Sequence, residues 1–448
     1  MCIARFVGTY IAVLACIHLE QPLPEKGQMD DRIGTDSALG EYRILDLSDE
    51  KGQLCGKILG DLGADVIKIE HPGGDSSRGI GPFYGDRPDP QKSLFWLAYN
   101  MNKRGITLDI HTSDGKEIFE KLIRTADIVI ESFCPGYLDG INLGYQVLEK
   151  VNPRLILTSI TPFGQTGPYA DYKASDIVLW AMGGMMCLCG DQDRAPVQVS
   201  FPQAYLSGAA EAAAATMIAL YGRENTGKGQ HVDASIHASV PWLAMEGLEF
   251  WPMMQRNIKR TGIFRESTGT GALEREIWRC KDGAVHFVIG GGSIGARFMP
   301  GLLKWLKEEG VETEALEKIN WADFDLRYVS QEACDAIIQP LQTAMGKHTK
   351  GEIFENTKRC RALVYPINTP ADNLGDPHLQ ARGFWEKMEH SELNATLTYP
   401  GAFCKLSETP IKMRRCAPRI GEHNEEVYVK ELGLSKEHFI QLQQLGVI

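Results

Sequence analysis

The chain has 448 residues, a formal net charge of −11 at pH 7 and 43% hydrophobic residues. This length favours two lobes over one small core. The acidic balance and the lack of a lysine and arginine cluster argue against nucleic acid as a partner. The eleven cysteines are scattered, and the nearest pair, Cys187 and Cys189, lacks the spacing of a Cys-x-x-Cys motif. We therefore expect no metal site and a reduced, cytoplasmic location.

The N-terminal segment differs from the rest of the chain. Phe6–Leu19 is apolar and follows a single arginine, but it is short for a membrane span. It resembles the apolar region of a signal peptide without a small-x-small cleavage site. We predict that residues 1–40 are an extension or a misassigned start, with Met29 as the true first residue. A signal peptide stays an alternative.

Short apolar segments alternate with amphipathic helical segments through the first half of the chain. Val66–Ile69, Ile128–Ile130 and Leu155–Ile160 are predicted strands, and Ser113–Thr125 is a predicted helix that starts with a serine and an aspartate. Helices between consecutive strands favour a parallel, doubly wound sheet. The sequence thus predicts an α/β fold.

The longest predicted helix lies within Val197–Ile236. This run starts with a predicted short strand, continues into an alanine-rich helix and ends with a Gly-Lys-Gly turn before another strand. Alanine, methionine, leucine and glutamate lose little rotamer entropy in a helix. The alanines also permit close packing against a neighbouring element.

The middle of the chain loses the regular alternation and carries charged helical stretches such as Leu302–Glu317. We predict a large α/β domain whose first part spans residues 41–262. A small α+β domain is predicted at residues 263–386, and residues 387–448 are expected to return to the large domain.

Several sequence blocks follow one another in a fixed order from Glu41 to Ile448. They read RILDLS at 43–48, GDLGADVIKIE at 60–70, NKRGITLD at 102–109, ADIVIESFCPG at 126–136, FGQTGPY at 163–169, TGKGQ at 226–230 and GEH at 421–423. Together they resemble class III CoA-transferases of the CaiB/BaiF type. The resemblance implies a large Rossmann-like domain, a smaller α+β domain and two chains interlocked as a dimer. It also implies a coenzyme A thioester as substrate and no bound cofactor.

One position departs from this family at its catalytic centre. The family's nucleophilic Asp opens the alanine-rich helix about twenty residues before the TGKGQ block, and Tyr205 stands there in this chain. The Asp carboxylate attacks the acyl-CoA thioester, which gives an enzyme-bound anhydride and then an aspartyl-CoA thioester. A phenol has a reference pKa of about 10 and is protonated at neutral pH. We expect Tyr205 to be a core or pocket-lining side chain, so the catalytic residues stay unknown.

Asp176 is the other carboxylate that the resemblance places near the active site. It matches a family position that carries Asp or Glu, where it would act as an acid, a base or an orienting group. The alternative is a carboxylate at a helix N-terminus that complements the helix dipole. The sequence leaves both interpretations open.

The resemblance assigns coenzyme A contacts to His71, His111, Lys173 and Phe133. The family's arginine after the F-x-P-G motif is replaced by Gly140. A histidine is largely uncharged at neutral pH and anchors phosphate more weakly than arginine. The alternatives are a solvated loop residue for His71 and a surface lysine for Lys173.

The turn after the first predicted strand also differs from the sequence that is typical of the family. Most family members have a V-x-A-G-P turn that touches coenzyme A, whereas this chain has SDEKGQLC at 48–55. The changes at Tyr205, Gly140 and this turn all border one pocket. We therefore expect that the pocket of this subunit does not perform the full reaction.

The whole sequence is most similar to the heteromeric succinyl-CoA:benzylsuccinate CoA-transferase branch of the family, which works in anaerobic aromatic degradation. The resemblance implies a related partner subunit that supplies the Asp, an acyl-CoA donor and a small carboxylic acid acceptor. One alternative is an acyl-CoA racemase or isomerase that pairs His231 or His237 with Asp176. Another alternative is a CoA-binding scaffold without turnover.

Overall fold

A computed structural model describes residues 37–362 and 364–448, so the predictions for residues 1–36 lie outside the described residues. The described chain divides into two compact units. The first contains residues up to 185 together with 199–254 and 381–448, and the second contains 186–198 and 255–380. The boundaries proposed from the sequence, at residues 41, 262 and 386, stay a prediction.

The first unit is built on a parallel sheet of six strands in the order β3-β2-β1-β4-β5-β6. Its strands are β1 Arg43–Asp46, β2 Asp65–Glu70, β3 Lys103–Thr107, β4 Ile128–Glu131, β5 Ile156–Thr161 and β6 His231–Ser235. The chain order reverses between β1 and β4, which is the arrangement of a doubly wound sheet. The predicted fold class is confirmed, whereas the interlocked dimer stays a prediction.

Helices connect the strands of the first unit and extend beyond the sheet. They are α1 Gln53–Asp61, α2 Leu94–Tyr99, α3 Ser113–Ile123, α4 Tyr137–Gly140, α5 Tyr145–Val151, α6 Asp176–Met182, α7 Ala204–Thr226, α8 Ile236–Trp242 and α9 Met245–Met254.

The second unit combines short strands with helices. Its strands are β7 Phe264–Glu266, β8 Leu273–Arg275, β9 Ile277–Cys280, β10 Gly283–Phe287 and β11 Val364–Pro366. Its helices are α10 Gly292–Glu308, α11 Glu314–Glu317, α12 Gln331–Met345, α13 Lys350–Arg359, α14 Pro370–Leu374 and α15 Pro377–Ala381, the last of which ends in the first unit. The first unit resumes with an antiparallel hairpin and a terminal helix, β12 Trp385–His390, β13 Ala395–Pro400 and α16 Lys436–Gln444.

Helix α3 shows how the sequence sets local structure in the first unit. The Thr112 side chain accepts a hydrogen bond from the Gly115 N–H and caps the helix start. Ile118, Phe119 and Leu122 are buried in the main hydrophobic cluster on one side of the sheet. The helix thus forms where the apolar spacing predicted it.

Helix α7 packs closely against its surroundings because its residues are small. Gly208, Ala209, Ala212 and Ala213 are buried. A Cβ atom added at Gly208 would lie 2.8 Å from Cγ1 of Ile236. This close approach holds the first turn of α7, and therefore Tyr205, against the rest of the unit.

Two predicted elements differ from the observed ones. No strand forms at Val197, where one backbone hydrogen bond, from the Val197 N–H to the Cys189 carbonyl, is too little for a strand ladder. The predicted helix Leu302–Glu317 is interrupted between α10 and α11, where Gly310 has a φ of +69°. None of the helices that the structure describes is long and apolar enough to cross a membrane.

Candidate functional site

The loops after β1 and β4 meet where the strand order of the sheet reverses. The Ser132 hydroxyl donates to Oδ1 of Asp49 at 2.7 Å and accepts the Asp49 N–H at 2.9 Å. The Lys51 ammonium pairs with the second carboxylate oxygen of Asp49. Open α/β sheets bind ligands at the carboxyl ends of strands at such a reversal. The two loops therefore border the candidate site.

Tyr205 lies in the first turn of α7, half-buried, beside the Asp176 carboxylate. Asp176 Oδ1 accepts the Tyr205 N–H at 2.9 Å, and Oδ2 accepts the Gln203 N–H at 3.3 Å. The Tyr205 hydroxyl donates to the Ala174 carbonyl at 3.3 Å. Asp176 is the first residue of α6 and is buried. It thus binds the free N–H groups at the start of the neighbouring helix α7.

The Tyr205 phenol is held in its neutral form. Burial is the largest cause that raises the pKa of Tyr205, and the nearby carboxylates of Glu50, Asp49 and Asp176 raise it further. The pKa of Glu50 is itself raised, first by burial and then by the Asp49 charge. We name Tyr205 together with Asp49, Glu50 and Asp176 the acidic corner. A neutral phenol in this surrounding is a poor nucleophile.

A second group of predicted contacts forms an aromatic–imidazole cluster, defined here as Phe133, Tyr137 and His111. The Phe133 and Tyr137 rings stack with centroids 4.4 Å apart, and the Tyr137 hydroxyl lies 2.8 Å from His111 Nε2. His71 Nε2 lies 3.9 Å from Oδ2 of Asp109. The Oδ1 atom of Asp109 accepts the backbone N–H of His111. The structure therefore brings together three of the four predicted coenzyme A contacts, from the loops after β2, β3 and β4.

Lys173 lies apart from that cluster. It is exposed in the loop before α6, next to Ala174, whose carbonyl accepts the Tyr205 hydroxyl. In the chain it lies three residues before Asp176 of the acidic corner. Tyr137 was not predicted from the sequence, because Phe133 lies in the loop before α4 and no helical spacing relates the two residues.

A cavity of about 410 Å³ lies beside the ends of β4 and β5 and was not predicted. Glu131, Ser159 and His231 line it, and the Ser159 hydroxyl lies 2.8 Å from His231 Nε2. Burial raises the pKa of Glu131 to about 7, although the Phe133 N–H donates to its carboxylate at 2.7 Å. The sequence does not reveal the raised pKa of Glu131, because that pKa depends on how deeply the folded chain buries the end of β4.

The histidines considered for a racemase have other neighbours. His231 meets Ser159, and the His237 ring lies 5.5 Å from the Phe163 ring. Among the described contacts, neither imidazole is hydrogen bonded to Asp176. The described residues also contain no group of three or more His, Cys, Asp or Glu side chains arranged to hold a metal ion.

The sheet, the reversal point and the sequence blocks together define a class of protein. Residues 39–424 match the model of CoA-transferase family III. The chain belongs to this family, whose members use coenzyme A thioesters as substrates.

Several relatives align over nearly the whole chain. The BbsE subunit of succinyl-CoA:(R)-benzylsuccinate CoA-transferase from Thauera aromatica is 35% identical over 91% of this chain and 97% of its own length. The beta subunit of succinyl-CoA–L-malate CoA-transferase from Chloroflexus aurantiacus is 31% identical over 93% of this chain and its entire length. Formyl-CoA:oxalate CoA-transferase from Streptomyces avermitilis is 32% identical over 92% of this chain and 99% of its own.

A solved structure agrees with the fold. A CaiB/BaiF family protein from Brucella suis superposes with a TM-score of 0.75 at 27% identity. The superposition covers 89% of this chain and all of that chain.

Proposed function

We propose that this chain is one subunit of a heteromeric class III CoA-transferase. A related partner subunit supplies the nucleophilic Asp, and the complex moves coenzyme A from succinyl-CoA to an aryl- or alkylsuccinate. The neutral Tyr205 at the family's Asp position carries the proposal, because it leaves this chain without the expected nucleophile. The similarity to named subunits of two succinyl-CoA-dependent transferases supports a heteromer and the choice of donor.

The chemistry requires a carboxylate that attacks the thioester carbonyl carbon. This attack expels the coenzyme A thiolate and leaves an acyl anhydride on the enzyme. The thiolate then attacks the enzyme carbonyl, releases the first carboxylic acid and forms an enzyme thioester. The acceptor repeats the two steps in reverse. A tyrosyl ester does not provide the anhydride, so Tyr205 is not a substitute.

In this proposal the aromatic–imidazole cluster contributes to coenzyme A binding. Phe133 and Tyr137 offer flat apolar surface to a ring, and His71 and His111 offer hydrogen-bond donors to phosphate or sugar oxygens. Lys173 provides a cation beside the acidic corner. We propose a cytoplasmic location for the complex, because its substrate is a coenzyme A thioester.

The test is a CoA-transferase assay with succinyl-CoA and benzylsuccinate. It compares this chain alone, the chain co-expressed with a related family member from the same genome, and that pair with Tyr205→Phe. We expect activity only in the co-expressed samples, with Tyr205→Phe within about twofold of the unmodified pair because the phenol takes no part in the transfer.

Activity of the chain alone would contradict the proposed subunit role. If Tyr205→Phe then abolished that activity, Tyr205 would be the nucleophile. A pair that binds coenzyme A without turnover would support the scaffold alternative instead.

A further inference from the structure

Two lysines are fully buried beneath the loops of the candidate site. Lys68 lies on β2 and Lys103 begins β3, and neither side chain is exposed to solvent. A buried ammonium group costs several kcal/mol unless charges and hydrogen bonds compensate it. The partners of these two groups therefore show what the lysines hold in place.

Both ammonium groups donate to backbone carbonyls of the turn 48–53, which follows β1 and ends at Gln53, the first residue of α1. Lys68 Nζ donates to the Ser48 carbonyl and pairs with Asp75 Oδ2 at 3.0 Å. Lys103 Nζ donates to the Gln53 carbonyl at 2.8 Å and to Asp46 Oδ2 at 2.8 Å. The carbonyls at the two ends of the turn 48–53 are thus each bound by a buried cation.

The turn 48–53 is tightly folded between these two points. Asp46 Oδ1 accepts the Ser48 hydroxyl at 2.6 Å and the Ser48 N–H at 2.9 Å. A Cβ atom added at Gly52 would lie 2.6 Å from the Ser48 Cβ. The exposed side of the turn carries Asp49, whose carboxylate is bound by Ser132 of the loop after β4. A shift of either carbonyl would therefore move the border of the site.

The same buried network continues into the loop after β2. The Gln53 side-chain amide donates to the Ser77 hydroxyl at 2.7 Å and accepts from the Asn100 amide at 3.0 Å. Asp75, which pairs with Lys68, accepts the Ser77 N–H at 2.9 Å. The loop 71–77 includes His71, one of the predicted coenzyme A contacts. One network therefore connects two loops of the candidate site.

We propose that Lys68 and Lys103 are positioning residues that hold the turn 48–53 and the loop 71–77 in the geometry that binds coenzyme A, without touching the ligand. This inference rests on the proposed function, because it takes these loops as part of the coenzyme A site. The two ammonium groups bind backbone carbonyls from the buried side of the turn, so the turn and the loop hold the binding geometry before coenzyme A is present.

Arg104 is a matched control on the same strand. It follows Lys103, so its side chain points to the opposite face of the sheet. There it forms a buried ion pair with Asp65 at 2.7 Å. Lys103→Met and Arg104→Met each remove one buried cation from β3, but only the first removes a hydrogen bond to the turn 48–53.

The experiment is hydrogen–deuterium exchange on the co-expressed pair, with coenzyme A as the added probe. Peptides that cover residues 48–53 and 71–77 report on this chain alone. In the unmodified complex we expect coenzyme A to protect both segments. In Lys103→Met we expect faster exchange in both segments without ligand, and at least about tenfold more coenzyme A for half-maximal protection.

Two further samples separate positioning from general instability. Arg104→Met is expected to lower the denaturation midpoint of the complex while its coenzyme A requirement stays within about twofold of the unmodified complex. Asp46→Asn combined with Lys103→Met removes both charges of this buried pair, and the side-chain oxygen of the amide can still accept from Ser48. The double variant therefore lacks the ammonium group without leaving a lone buried carboxylate. We expect this double variant to need about tenfold more coenzyme A for half-maximal protection, as Lys103→Met does.

Equal coenzyme A requirements in the double variant and in the unmodified complex would overturn the inference. Equal losses in Lys103→Met and Arg104→Met would overturn it as well, because the effect would then follow stability alone. If coenzyme A did not protect these segments in the unmodified complex, it would not bind at these loops, and the inference would be overturned. The transferase assay on the pair would still decide the proposed function separately.

Discussion

The acidic corner and the aromatic–imidazole cluster lie in the same unit but differ in chemistry. In the cluster, Phe133 and Tyr137 stack and His111 meets the Tyr137 hydroxyl, so the group offers flat surface and donors. In the acidic corner, burial and then the charges of Glu50 and Asp49 raise the pKa of the Tyr205 phenol. The first region carries no carboxylate among its three defining residues, whereas the second places three carboxylates around one phenol. In the proposed function, the first region contributes to coenzyme A binding and the second does not supply the nucleophile.

The largest expected effect concerns the acidic corner. We expect Tyr205→Asp in the chain alone to stay at least about 10³-fold less active than the co-expressed pair. Burial and the charges of Glu50, Asp49 and Asp176 would raise the pKa of the new carboxyl, so a smaller share of it would be in the ionised, nucleophilic form. The measurement is the transferase assay of the isolated chain at pH 7 to 8.

The control for this prediction is Tyr205→Asp combined with Glu50→Gln, which removes one of the repelling charges. More activity in the double variant than in Tyr205→Asp would sharpen the contrast between the two regions. Strong activity from Tyr205→Asp by itself would show that the corner does not oppose a carboxylate.

The next effect concerns Glu131, which directly precedes the loop that carries Phe133. The pKa of Glu131 is about 7 in the folded protein against a reference of 4.5. Below about pH 4.5 the group is protonated in both states, and between about pH 4.5 and 7 only the unfolded chain releases the proton. Glu131 therefore makes the folded state about 3 kcal/mol less stable above pH 7 than at low pH.

Glu131→Gln removes this titration, so we expect the variant to gain up to about 3 kcal/mol over the unmodified protein above pH 7 and little below pH 4.5. Urea unfolding at several pH values measures the difference. Exposed Glu117→Gln on α3 is the control, and its effect on stability is expected to be small at every pH. A difference between Glu131→Gln and the unmodified protein that does not vary with pH would contradict the assignment.

The smallest effect concerns Tyr137. Tyr137→Phe keeps the ring stacked on Phe133 and removes the hydrogen bond to His111. We expect a loss of about 1 kcal/mol or less in stability and about threefold weaker coenzyme A binding by the complex, because the imidazole becomes less well oriented. Isothermal titration with coenzyme A measures the affinity. A loss beyond about tenfold would instead place the Tyr137 hydroxyl in contact with the ligand.

The sequence predicted the regular elements of the first unit well because their signals are local. The helix that begins at Ser113 forms next to a capping threonine, and the apolar runs around Val66, Ile128 and Ile156 are strands of one sheet. The predicted strand at Val197 was wrong, because a strand needs a neighbour that supplies its ladder of hydrogen bonds. No local pattern reports whether such a neighbour is present.

The candidate site was predictable only in part, for the same reason. The blocks of the sequence marked Tyr205, His71, His111 and Phe133, but they did not show that Asp176 binds the N–H groups at the start of α7. Tyr137 lay next to a predicted contact and was still missed. Its hydrogen bond to His111 joins residues 26 positions apart in the chain.

The sequence by itself determined the α/β class, the order of the elements and the membership in CoA-transferase family III. These properties follow from apolar periodicity and from the identity of residues at fixed spacings. Only the tertiary structure decided the raised pKa of Glu131, the surroundings of Tyr205 and the pairing of Lys68 and Lys103 with the turn 48–53. Burial and electrostatic interactions depend on which distant residues meet in space, and the sheet brings those residues together.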